Sequence, residues 1–126
     1  MTSQGSPYAR FRRALDSGNA TIALAAAAEV GSLGLTEALE LCLLLCDRDP
    51  AKFSRAAVRW HGRYCREVDA ELEEVQAVLA ALGALNGPRR EAVSAALADL
   101  IYRRGLERAS EAVMRWANVS AAERPG

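Results

Sequence analysis

No apolar run in this sequence is long enough to cross a bilayer. The longest, Ile22 to Ala28, Leu41 to Cys46 and Ala77 to Leu85 with Gly83 inside it, fall well short of the roughly 18 residues required. The opening Met1-Thr2-Ser3-Gln4-Gly5-Ser6-Pro7 lacks the apolar stretch of a signal peptide, so residues 1–6 read as a flexible arm on a cytoplasmic protein. Cysteine occurs three times, an odd number, and thiols in a cytosolic chain of 126 residues stay reduced, which excludes a disulfide framework. There is one histidine, one lysine and no net charge, 16 basic residues against 16 acidic. A globally basic coat for nucleic acid or an anionic membrane is thereby excluded, although a local patch is not. Strand signals are missing too, since β-branched residues are scattered and apolar and polar positions nowhere alternate for long.

What the sequence does have is alanine, arginine and helical spacing. Hydrophobic residues make up 51% of the chain, and all but one of the basic residues are arginine, a bias associated with bacterial genomes rich in G and C. The length suits a single domain burying about two thirds of its unfolded surface. A first helix begins at Pro7, a good first-turn residue, buries Tyr8, Phe11 and Leu15, and stops at Ser17-Gly18. Asn19 caps a second, Ala20 to Val30. Thr36 is the expected cap of a third, Glu37 to about Asp47, whose leucines and cysteines point in all directions as in a helix surrounded by others.

Asp49-Pro50 is a strong start signal for a fourth helix. From Pro50 to Leu82 the apolar stripe stays in helical phase, which permits either one long helix over 50–85 or a reversal near Asp69, with Asp69 capping a fifth helix. The reversal is the better expectation, because about 35 residues is unusual for a helix in a domain of this size. Asn86-Gly87-Pro88 ends this segment and starts a sixth helix, Pro88 to Arg104. A phase change at Gly105 marks a bend into a seventh, ending near Ala117. No repeat of 33 to 47 residues is present. The expectation is an all-α, compact bundle of six or seven short antiparallel helices forming one domain over 7–117, with a frayed tail over 118–126.

The fourth helix carries the most information. At about 100° per residue, Arg48, Lys52, Arg55, Arg59, Arg63 and Arg66 fall within roughly 80° of arc, opposite Phe53, Ala57, Trp60 and Tyr64. Residues 48–66 hold these six cations and one acid, Asp49, a net +5; residues 67–74 hold Glu67, Asp69, Glu71, Glu73 and Glu74, a net −5. If the chain reverses near Asp69, Arg63 and Arg66 come beside Glu71 and Glu74, and the two blocks satisfy each other in part. Lys52, Arg55 and Arg59 face the far end of the fifth helix, Val78 to Leu85, which has no acid. They are the cations expected to be left for a partner, with Arg63 beside them.

That partner is a protein, or a second copy of the chain. Nucleic acid is the alternative, weakened by the lack of aromatic residues on the basic face and by the acidic block nearby. Cys42, Cys46, His61 and Cys65 have one-turn spacing suited to zinc, but in a hairpin turning near residue 48 the two pairs are displaced by roughly 9 and 20 Å, so no metal site is expected. No cofactor is implied either. His61 lacks a nucleophile or a second acid-base group, and no phosphate loop or paired-carboxylate motif occurs, so no catalytic residue is expected. The stripe Leu72, Val75, Leu79, Leu82 and the residue Trp116 are candidates for an interface, Trp116 as its anchor. The functional expectation is a small cytoplasmic helical adaptor or regulatory protein.

Overall fold

Short-range chemistry sets most of the helix ends. In the computed structural model, residues 6–123 are described, with side chains through Val119. They form α1 (Pro7–Ser17), α2 (Ala20–Val30), α3 (Leu35–Arg48), α4 (Pro50–Glu67), α5 (Leu72–Ala84), α6 (Arg90–Tyr102) and α7 (Glu107–Glu123). Ser6, Asn19 and Asp49 each accept a hydrogen bond from a first-turn backbone N–H, and Gly18 closes α1 in the left-handed region at φ 75°. The bundle of seven helices agrees with the all-α expectation.

Several boundaries differ from the sequence reading, among them the end of the sixth helix, at Tyr102 instead of Arg104. The third helix starts at Leu35 with Gly34 as its cap, so Thr36 lies inside it. The sixth starts at Arg90, since residues 85–89 form turns past Asn86-Gly87-Pro88. The seventh runs to Glu123 instead of Ala117, so residues 118–123 of the expected tail are helical; 124–126, like residues 1–5 of the expected arm, lie outside the described residues. The chain does reverse after Glu67, but Asp69 is not the cap of α5. It sits at φ 54° and ends α4: Ala70 N–H bonds the Cys65 carbonyl at 3.0 Å and Asp69 N–H that of Arg66 at 3.4 Å, the paired arrangement of a left-handed helix stop, with aspartate where glycine is usual.

The helices from α3 to α7 form a closed ring. Each packs on its sequence neighbour, and α7 returns to pack on α3. Consecutive pairs are antiparallel hairpins. The closing pair is parallel, because Glu37 meets Arg108 at one end and Asp47 meets Trp116 at the other. One core fills the ring, with Leu39, Leu45, Trp60, Tyr64, Val78, Leu82, Leu97, Ile101 and Val113 almost fully buried. α1 and α2 form a hairpin with a small core of its own, Phe11, Ala14, Ala23 and Ala26, and reach the ring only through α3. Tyr8, expected inside, is 44% exposed. Ser94 is fully buried with an unpartnered hydroxyl.

Arg90, the first residue of α6, joins four elements. Its guanidinium donates to Asp47 on α3 (2.9 Å) and to the Leu85 carbonyl after α5 (3.0 Å), lies 3.9 Å from Cys46 Sγ, and stacks 4.4 Å over the Trp116 ring on α7. Its side chain is 12% exposed. Charge-assisted bonds in such a setting outweigh ordinary surface pairs. Arg90→Ala is expected to destabilise the protein by about 2–3 kcal/mol in urea unfolding. Asp69→Gly, which relieves a left-handed aspartate, is expected to stabilise it by about 1 kcal/mol in the same measurement.

Candidate functional site

The inner face of α4 is fixed by its aromatic residues. Trp60 and Tyr64, one turn apart, stack with ring centroids 5.1 Å apart, and the Trp60 indole N–H donates to the Leu35 carbonyl at 2.9 Å, tying α4 to the start of α3. Tyr64 donates its hydroxyl to Glu74 at 2.5 Å, tying α4 to α5, and Arg104 grips the same carboxylate through Nε and Nη2. Phe53 and Ala57 complete the buried side. With these anchors in place the opposite side of α4 faces outward.

The cations on that outer side have different fates. Lys52 is exposed, with a loose contact to Asp49 at 3.9 Å. Arg55, Arg59 and Arg66 are exposed and make no hydrogen bond or ion pair among the described residues. Arg63 is committed internally: Nε donates to Glu67 at 3.0 Å and Nη1 to the Leu33 carbonyl at 2.9 Å. The expected pairing of Arg63 and Arg66 with Glu71 and Glu74 does not form. Glu67 takes Arg63 within one helix, and Glu74 is held by Arg104 and Tyr64. Arg48, at the end of α3, leans over the α1–α2 turn, where a Cβ added at Gly18 would meet its Nη2 at 2.9 Å.

Between α3 and α4 this basic row borders a shallow groove of about 420 Å³. Leu33, Ala38, Leu41, Cys42, Ala56 and Trp60 contribute to its lining, and Arg59, Arg63 and Arg66 flank it. Cys42 is 3% exposed; burial pushes its thiol up to about 12, against the opposing pull of Arg59, so it is a neutral, inert part of the lining. The groove therefore combines apolar area with the guanidinium groups of Arg59 and Arg66, which have no carboxylate partner among the described residues, a combination suited to an amphipathic, acidic surface.

The other candidate side chains serve the fold. His61 Nε2 is 2.8 Å from the Val75 carbonyl and 3.5 Å from Cys65 Sγ, whereas Cys46 bonds Asn86 at 2.9 Å, so the two Cys-containing pairs have separate surroundings. Burial pushes the Cys46 thiol up to about 11. No group of three metal-ligating side chains converges among the described residues. Trp116 is partly buried, donating its indole N–H to Asp47 at 2.8 Å beneath Arg90. Two important residues were not singled out from sequence, Arg90 and Arg104, because the carboxylates they pair with, Asp47 and Glu74, lie 43 and 30 positions away. No helix of the described residues is long and apolar enough to cross a membrane. No protein-family model matches the chain, and neither curated proteins nor solved structures give a match.

Glu74 gives a pH signature. The bond from Arg104, joined by that from Tyr64 and opposed by burial, holds its carboxyl below the ordinary 4.5. A carboxylate lowered in the folded state adds stability that is fully present above 4.5 and lost as pH falls through the folded value. Chemical denaturation across that range is expected to show stability falling on the acid side of 4.5, and Glu74→Gln is expected to flatten that part of the profile.

Proposed function

We propose that this protein is a small cytoplasmic adaptor or regulatory protein, without catalysis of its own, that binds an acidic surface of another protein along the outer face of α4. Lys52, Arg55, Arg59, Arg63 and Arg66 form the basic face, and the α3–α4 groove supplies apolar area beside it. The observation that carries this reading is selective pairing. Arg12, Arg90, Arg104, Arg108 and Arg115 all lie within ion-pairing distance of carboxylates elsewhere in the chain, while Arg55, Arg59 and Arg66 project from one helix face with none among the described residues. Of the neighbouring acids, Glu67 takes Arg63 and Glu74 is held by Arg104 and Tyr64, so the charge on α4 is neutralised only in part among the described residues.

Two further features support a protein partner over nucleic acid. Asp69, Glu71 and Glu73 are exposed just past the C-terminal end of the row and oppose a long polyanion there. Gly62, between Arg59 and Arg66, has space for a Cβ, with only Arg66 Nη1 at 3.6 Å, so packing within the chain does not require glycine at this position. A glycine there lets a docking segment approach the α4 backbone closely.

The test is affinity capture from a lysate of the native host, followed by reconstitution with the purified partner. Arg59→Glu combined with Arg66→Glu is expected to weaken the reconstituted complex by about tenfold or more, with helicity unchanged. Wild-type protein is expected to show no binding to duplex DNA or RNA at low salt; salt-dependent binding there, lost in the same variant, selects nucleic acid as the partner instead.

A further inference from the structure

Helix α5 buries Val78, Ala81 and Leu82 and turns a different set of residues to solvent. Of the stripe Leu72, Val75, Leu79 and Leu82, only Leu72 and Leu79 are well exposed, at 71% and 46%. With Gln76 and Gly83, also exposed, they make a row on one line of the helix at spacings of four, three and four residues. This is the spacing of a coiled-coil seam, with one polar residue at an inner position, the usual device for fixing register. The segment from Val75 to Leu85 has no charged residue. Gly83 has no atom within 4 Å of an added Cβ, so nothing in its own chain requires a glycine. In mid-helix it costs about 1 kcal/mol relative to alanine.

The two ends of this seam carry opposite charge. At the start of α5, Asp69, Glu71 and Glu73 are exposed and make no salt bridge among the described residues; Glu71 adds only a longer-range attraction to Arg104. At its end stand two exposed arginines without hydrogen bond or ion pair among the described residues. Arg89 follows in the turn to α6. Arg55 lies level with about residue 82, given that His61 meets Val75 and Tyr64 meets Glu74 in the antiparallel α4–α5 hairpin.

We propose that the face of α5 is a self-association surface, on which two copies of this chain pair their α5 helices antiparallel about a two-fold axis between Gln76 and Leu79. In that register Leu72 of one copy meets Gly83 of the other, a large residue against a vacant position, and Gln76 lies beside Leu79. Glu71 and Glu73 of each copy come to the end that carries Arg55 and Arg89 of the other. A parallel pairing sets acid against acid and Gly83 against Gly83. Antiparallel pairing therefore satisfies apolar area, side-chain size and charge together, and a two-fold operation closes it at a dimer. Because the α3–α4 groove, with Arg59, Arg63 and Arg66 beside it, lies on the other flank of α4, the pair leaves both grooves open and takes only Arg55 from the basic row.

Sedimentation equilibrium on the full chain over a range of concentrations tests this pairing. A reversible dimer weakened by salt is expected, and Leu79→Glu, a change at an exposed site, should lower association by at least about tenfold with unchanged circular dichroism. Glu71→Arg with Glu73→Arg should weaken the dimer, Arg55→Glu with Arg89→Glu likewise, and all four changes together should restore it. Arg59→Glu with Arg66→Glu should leave the dimer intact, so failure of the groove reading and failure of this one are told apart. A monomer at every concentration, an oligomer larger than two, or a dimer indifferent to Leu79→Glu and to the charge reversals overturns the proposal.

Discussion

A ring with an odd number of helices cannot alternate direction all the way round, and this constraint governs the rest of the molecule. Four hairpins bring α3 to α7 round in sequence, so α7 arrives beside α3 pointing the same way. Parallel neighbours place like ends of their macrodipoles together, a modest cost that side chains must offset. The α3–α7 seam is accordingly where long-range polar contacts concentrate: Glu37 with Arg108, Glu40 with Arg115 at 3.8 Å, and Asp47 with both Trp116 and Arg90. Arg12 of α1 adds to the Glu40 carboxylate at 2.6 Å, so the N-terminal hairpin also leans on this seam.

Closing the ring this way sorts the charges. Carboxylates on α3 are used by α1, α6 and α7, and Glu74 is used by Arg104 from the turn before α7, so none of these reaches the outer face of α4. Arg55, Arg59 and Arg66 keep no carboxylate among the described residues, because Glu67 is taken by Arg63 and Glu74 is held away by the Trp60–Tyr64 stack and the Tyr64–Glu74 bond. Those two interactions set the rotation of α4 and the register of α5. Burial and the facing Glu74 carboxylate push the Tyr64 phenol upward, so it stays a hydrogen-bond donor across the range in which the protein works.

How much of this was legible in the sequence follows from the range of each interaction. Caps at Asn19 and Asp49 and the prolines at 7 and 50 act within a turn, and they mark the observed helix starts. The amphipathic phase of α4 identified its buried face because 18 residues of regular spacing leave little choice. Asp69 was misplaced because an aspartate after a helix and one before the next look alike in sequence; only backbone φ separates a stop from a cap. The Leu72, Val75, Leu79, Leu82 stripe was drawn on the wrong line of α5 since an alanine-rich helix with small residues all round has no steep apolar gradient. The Leu33 contact of Arg63 and the carboxylate partners of Arg90 and Arg104 depend on which segments become neighbours, a property of ring closure that no local pattern encodes.

The hairpin of α1 and α2 has a wider consequence. Its small core and its attachment through α3 alone make it a separable cooperative unit, able to open at lower free energy than the ring unfolds. Leu33, in the segment between α2 and α3, and Leu41, under the hairpin, also line the groove beside α4. Hairpin docking and groove lining thus share side chains, so opening of the hairpin uncovers Leu33 and Leu41 and reshapes one edge of the groove. The stability of the N-terminal hairpin and the shape of the cleft beside α4 are in this way tied together through two leucines.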